Sequence, residues 1–318
     1  MLQRRRLVAG LAVAGLGATR PATAQEVPRT ITLVVPFPAG SVVDIMARPF
    51  AEQMRAALGP AYTVVVVNRD GGAGSVGAAA VASARPDGAT LFFGPSGMLT
   101  TRPFLVEGLP YGWGALEPVC QSFENIFVMV TAANSPFRSV RDVLEAARAR
   151  PDTVSWGDAG VGTVGHLVAM ELARRAGVRM THVPYRSSPQ QVVDTQTGVL
   201  SFSMTTGATV RGTDLRVLAA VADERQPGMA EVPTLKEQGF PVNWRGFGGV
   251  MAPRGTPSAV IRRLEAACLD ATRSAPYRQM AENTGQVAPA LDAAAFGARL
   301  TAEYENAATF LKEIGLAR

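Results

Sequence analysis

Histidine and cysteine are scarce: the 318-residue chain has two of each. His166 and His182 are too few for a histidine-rich metal centre. Cys120 and Cys268 lie far apart with no CxxC spacing, which excludes a zinc ribbon and a dithiol redox motif. Charged residues make up only 18% and aromatics 7%, while 47% are hydrophobic, so the composition excludes coiled coil and disorder and suits one or two packed cores. The 32 glycines and 22 prolines are spread along the chain, which excludes collagen-like and low-complexity classes. Positive charge is also missing where a nucleic acid would need it. Of the formal +5, four charges are Arg4, Arg5, Arg6 and Arg20, in a stretch of 24 residues without an acid, and the remaining body stands at +1. Such a body has no phosphate-binding footprint.

That basic start is followed by the apolar run Leu7 to Gly17 and by Ala22-Thr23-Ala24. A basic segment, a short apolar segment and an A-x-A site read as an export signal over residues 1–24, cleaved after Ala24. The apolar run is too short to span a bilayer. The adjacent arginines suit the twin-arginine route and the apolar segment suits the general secretory route equally, so the choice stays open. No lipobox cysteine stands at the cleavage point, so the expected product is soluble in the periplasm. An oxidising compartment permits Cys120 and Cys268 to pair. Their apolar contexts favour two separate buried small residues.

Past the signal, apolar runs alternate with amphipathic segments, the pattern of parallel α/β sheets covered by helices. Strands are expected at Thr30–Val35, Tyr62–Val67, Thr90–Gly94 and Glu124–Thr131, with helices such as Val43–Leu58, kinked at Pro49, and Val76–Ala84 between them. A second series starts near Phe127. It has helices at Val140–Arg150, Val164–Ala176 and near Pro189–Thr197, and strands at Thr153–Trp156, Met180–Pro184, Leu200–Met204 and Leu215–Val221. The tail from Pro257 reads as nearly all helix, with Ile261, Leu264, Ala267, Cys268 and Ala271 on one stripe. Two α/β series imply two lobes, residues 25–125 with 247–318 and residues 126–246. Extended crossings around Glu117–Val130 and Val242–Ala252 would make a hinge, with the ligand in the cleft between the lobes.

Two strand-to-helix turns carry a G-x-G-x-x-G string, one from Gly72 to Gly77 and one from Gly160 to Gly165. Glycine lets a backbone approach a ligand, and the helix that follows offers free N–H groups to an anion. A dinucleotide site needs an acid at the end of the next strand, and neither turn supplies one. The first string serves as well for tight turns alone. A third turn, Pro36-Phe37-Pro38-Ala39-Gly40-Ser41, ends the first strand, with Asp44 in the helix that follows. Ser96 is not a hydrolase nucleophile elbow, because Met98 stands where that motif requires glycine. Its hydroxyl remains a candidate donor to a ligand.

The strings Val34-Val35-Pro36-Phe37-Pro38-Ala39-Gly40 with Asp44 and Arg48, Asn68-Arg69 with the glycines to Gly77, Pro86-Asp87-Gly88, Leu109-Pro110-Tyr111, Gly160 to Leu167, His182-Val183-Pro184-Tyr185, Val232-Pro233-Thr234 and Ala252-Pro253-Arg254-Gly255-Thr256-Pro257 resemble the Bug family. These are periplasmic substrate-binding proteins of tripartite tricarboxylate transporters, and the likeness runs through the whole mature chain. It implies a two-lobed type II periplasmic-binding-protein fold closing on a small carboxylate, with no cofactor, no metal and no enzymatic activity. Transporter subunits or a sensor would be its partners, and it would act as a monomer. Carried onto this chain, the gripping positions are Phe37, Ala39, Gly40, Ser41 and Asp44 on one lobe, and Gly160, Gly162, Thr163, Val164 and His166 on the other. Tyr185 and Arg186 end a strand facing the cleft. Met204, where the family commonly carries an acid, and Thr205 are expected on the far side of the pocket, and an apolar Met204 there would favour a monocarboxylate or an aromatic or aliphatic acid over an amino acid. The competing reading is an exported α/β enzyme or a dinucleotide-binding oxidoreductase.

Overall fold

A computed structural model describes residues 26–317 apart from 186, 187 and 243, so the export signal and Arg186 lie outside the described residues. From its start the chain forms β1 (Thr30–Val35), α1 (Val42–Leu58), β2 (Thr63–Asn68), α2 (Ser75–Ala82), β3 (Thr90–Pro95), α3 (Gly97–Thr100) and α4 (Arg102–Leu105). β1 and β2 are dense in β-branched residues, which pack well on a pleated surface. In α1 the buried positions Met46, Ala47, Phe50, Ala51, Met54 and Leu58 recur at helical spacing. Phe50 is fully buried, worth roughly 2–3 kcal/mol against exposure. The kink expected at Pro49 does not end α1, which continues to Leu58.

Next comes β4 (Leu116–Asn125), which passes through Ile126 into β5 (Phe127–Thr131), and the chain then builds α5 (Val140–Ala149), β6 (Ser155–Asp158), α6 (Val164–Ala176), β7 (Thr181–Pro184), α7 (Ser188–Gln196), β8 (Phe202–Thr206), α8 (Gly207–Val210) and β9 (Arg216–Val221). It returns in β10 (Gly246–Pro253) and closes with α9 (Ser258–Arg273), α10 (Ala275–Asn283), β11 (Gln286–Val287) and α11 (Ala293–Glu313). One sheet has the order β11-β4-β10-β3-β1-β2 and the other β7-β6-β8-β5-β9.

The sheets are mixed and not wholly parallel. β1, β2 and β3 are parallel, as are β6, β7 and β8, but β10 runs against β3 and β5 against β8 and β9. The reason is topological. β5 and β10 each carry the chain into a lobe from the crossing, so they must run away from it, whereas the other long strands run toward it. Gly248 at the start of β10 lies beside Pro95 at the end of β3, and Phe127 at the start of β5 lies beside Thr206 at the end of β8. The carboxyl ends of the parallel strands β1, β2 and β3 in one sheet and β6, β7 and β8 in the other therefore point toward the crossing.

Cys120 on β4 and Cys268 on α9 form a disulfide, with Cα atoms 6.2 Å apart. This corrects the expectation of two separate residues. Both are fully buried in the cluster that holds Phe50, Val119 and Leu264, and the pair links the strand leading out of the first lobe to a helix formed after the return. Helix α11 serves both lobes. Phe296 and Leu300 pack with Phe92, Phe247 and Met251, whereas Ala307, Phe310 and Leu311 pack with Trp156, Phe202 and Trp244. The C-terminal segment thus makes a further connection beside the two crossing strands.

Candidate functional site

The turn after β1 is braced from within. Ser41 caps α1 by accepting the Asp44 amide at 3.3 Å. The Asp44 carboxylate accepts the Gly40 amide at 2.9 Å, Asn68 Nδ2 at 2.9 Å, and Arg48 Nη2 and Nε at 2.8 and 3.1 Å. Asn68 also donates to the Phe37 carbonyl at 2.9 Å. Asp44 is 2% exposed. Burial pushes its carboxyl up, but the Gly40, Asn68 and Arg48 donors outweigh that and hold it below its ordinary value. With these donors supplied by the chain, Asp44 braces the turn. Phe37 is half-buried above it, and Ala39 and Gly40 are exposed at the tip, Gly40 with φ +82°.

The matching turn on the other lobe joins β6 to α6. Thr163 caps α6 by accepting the His166 amide at 3.4 Å. Gly160 and Gly162 both take positive φ, at +119° and +82°, which side chains with a Cβ rarely adopt. Asp158, fully buried, accepts the Gly160 amide and pairs with His182 Nε2 at 3.0 Å. At the head of each helix the first amides have no intrahelical acceptor, and those of Val42, Val43 and Val164 have no hydrogen-bond acceptor among the described residues. Two anion-attracting helix starts thus stand at strand ends that face each other across the lobes. The lobes touch at this point. A Cβ on Gly162 would lie 2.0 Å from Leu105 Cδ1 and 3.9 Å from Thr101 Cγ2.

Several expected contacts turn inward. His166 is 3% exposed, with its ring against Trp156 and His182, and burial drives its pKa down to about 4, with Asp158 opposing and His182 assisting. Its imidazole is neutral at neutral pH and offers no positive charge to a ligand. Met204 is 1% exposed in the core with Met129 and Trp156, so the expectation that it lines the pocket is corrected. Ser96 is buried, donates its amide to the Phe247 carbonyl at 2.9 Å, and lends its hydroxyl to Glu303 of α11. Tyr185 lays its ring over Gly157 and donates its hydroxyl to Asp194 at 2.5 Å; burial first and Asp194 second push its pKa up to about 12. Thr205 is buried, and its hydroxyl has no partner among the described residues. Leu105 at the end of α4 and Thr101 between α3 and α4 carry no motif by which sequence could mark them.

Two α/β lobes joined by crossing strands, with helix starts at facing strand ends, define a periplasmic solute-binding protein. The family described as "Tripartite tricarboxylate transporter family receptor" matches residues 46–316, and the chain belongs to it. A relative from Pseudomonas sp. (strain P51), the "UPF0065 protein in tcbD-tcbE intergenic region", is 38% identical over 275 residues, covering 83% of this chain and 80% of its own length. Protein BugT of Bordetella pertussis (strain Tohama I) is 33% identical over 263 residues, covering 80% of each. Among solved structures, Rpa4515 of R. palustris with adipate matches with a TM-score of 0.78 at 26% identity, over 91% of this chain and 98% of that one. MatC from Rhodopseudomonas palustris with bound malate matches with a TM-score of 0.76 at 25% identity, over 89% and 99%.

Proposed function

We propose that the exported chain is a periplasmic receptor that closes two lobes, residues 25–125 with 247–318 and residues 126–246, on a small carboxylate and presents it to transporter subunits or a sensor. What supports this reading is the pair of helix starts, α1 and α6, each following a strand end in a separate lobe, with the Gly162 turn before α6 packed on Leu105 of the first lobe. A carboxylate bridging them gains charge-assisted hydrogen bonds from both lobes only when the lobes close, so binding and closure are one equilibrium. Adipate and malate in the two structural neighbours support an aliphatic carboxylate. An amino acid is disfavoured for a reason other than Met204. The acids nearest the turns, Asp44 and Asp158, are already committed to donors within the chain, so an ammonium group meets no free carboxylate there.

The test is titration calorimetry of the chain starting at Gln25 with adipate, malate, glutamate and NAD. Saturable heat from a dicarboxylate, with none from NAD, is the expected result, and the ligand is recovered chemically unchanged. NAD binding in the absence of carboxylate binding would restore the oxidoreductase reading, and conversion of the ligand would restore the enzyme reading.

A further inference from the structure

The turn before α6 rests on a buried pair, Asp158 and His182. Asp158 is the last residue of β6 and is fully buried. Its carboxylate accepts the Gly160 amide through Oδ1 and meets His182 Nε2 at 3.0 Å through Oδ2. A Cβ on Gly165, the second residue of α6, would lie 3.3 Å from Asp158 Cβ, so Asp158 packs directly against the first turn of that helix. The corresponding acid of the first lobe, Asp44, is paired with Arg48, whose charge is permanent. Asp158 is paired with an imidazole, whose charge depends on pH.

His182 lies on β7, an edge strand whose neighbour is β6, in register with Trp156. Its ring stacks on Trp156 at 4.3 Å and approaches the His166 ring at 4.8 Å. Its side chain is 19% exposed, so protons reach it from solvent. Among the described residues the titratable groups in contact with it are Asp158 of β6 and His166 of α6, and no lysine or arginine pairs with Asp158. His166, with a pKa of about 4, is neutral at neutral pH. The charge beneath the start of α6 is therefore set by His182. An imidazolium facing the carboxylate leaves no net charge there, and a neutral imidazole leaves one negative charge.

We propose that Asp158 and His182 are positioning residues for the bound carboxylate, and that binding draws a proton onto His182. Asp158 fixes the Gly160 turn and with it the first amides of α6, but an uncompensated carboxylate at that place repels a ligand anion through the protein interior. The imidazolium cancels the repulsion. By linkage the ligand favours the protonated pair by the same factor as the protonated pair favours the ligand. Carboxylate affinity is therefore highest with His182 protonated and is lost in part as pH rises through its titration. The inference deepens the carboxylate reading above and rests on it.

The test is titration of the chain from Gln25 with adipate and with malate between about pH 5.5 and about pH 8.5, where carboxylic acids are mostly ionised and imidazoles titrate, with the His182 ring followed by NMR in the same samples. Wild-type affinity should fall about tenfold as the His182 ring loses its proton, and heats in buffers of different ionisation enthalpy should show proton uptake on binding. His182→Gln keeps a donor to Asp158 without the charge and should hold the weak, high-pH affinity throughout. Asp158→Asn keeps an acceptor for the Gly160 amide without the charge and should hold the tight, low-pH affinity. A brace that is only structural would weaken binding in both variants. Wild-type affinity independent of pH, or both variants weakened alike, overturns the proposal and leaves the carboxylate reading standing; binding of neither acid at any pH overturns both.

Discussion

Replacing both Cys120 and Cys268 by alanine tests the cross-link. The two residues are 148 positions apart, and the loop they close contains the whole of the second sheet. In the chain-entropy account, opening a loop of that length in the unfolded state costs about 5 kcal/mol of stability. For a chain of this size, with an unfolding entropy of about 2.1 cal/mol/K per residue, that lowers the melting temperature by about 8 °C. Both cysteines are fully buried among Phe50, Val119 and Leu264, so lost packing adds to the entropic effect. The assay is calorimetric melting of the exported wild-type chain and the double variant, each at two scan rates. A fall of less than about 2 °C would refute the reasoning, as would two free thiols titrating in denatured, unreduced wild-type chain. Ligand affinity should change little, since neither residue belongs to the turns that face the cleft.

Gly162→Val places a side chain where Leu105 Cδ1 already stands 2.0 Å from an ideal Cβ, at a φ of +82°. Carboxylate affinity should fall at least tenfold with the melting temperature lowered by only a few degrees, and Leu105→Ala should restore part of the affinity; normal binding by the single variant would contradict the arrangement of the two lobes. His166 is held neutral by burial, with a pKa of about 4 against 6.5 in the unfolded chain. Its folded pKa is depressed, so the unfolded state takes up a proton first, and this residue's contribution to stability is lost as pH falls from about 6.5 toward 4. NMR titration should show the His166 ring unprotonated at pH 5.5, and a midpoint above 6 would contradict its burial.

Local physics made much of this protein legible from residue order. The apolar runs placed β1 on its observed span and β2, β3 and β6 to β9 within two residues of theirs, because strand and helix periods differ sharply, but they read β4 and β5 as one strand from Glu124 to Thr131 and gave no sign of β11. Glycine at positions 160 and 162 marked a turn that needs positive φ, and Ser41 and Thr163 marked the helix starts that follow the two turns. The strings shared with the receptor family carried the class of protein.

Other features depended on pairings between distant segments. β8 is buried on both faces, so alternation could not say whether Met204 faced the cleft or the core. His166 sits in a helix whose start serves the cleft, yet its ring turns inward to Trp156 and His182. Asp44 has the residue type of a ligand contact, and only the approach of Asn68 from the next strand, with Arg48 one helical turn on, shows that its carboxylate is fully used. The disulfide, the two-lobed role of α11 and the contact of Gly162 with Leu105 all join residues more than fifty positions apart. Sequence order alone determined most of the elements, the turns and the family; the packing of those elements decided which side chains turn into the core and which stay at the strand ends, because a side chain's direction is set by the surfaces that close around it.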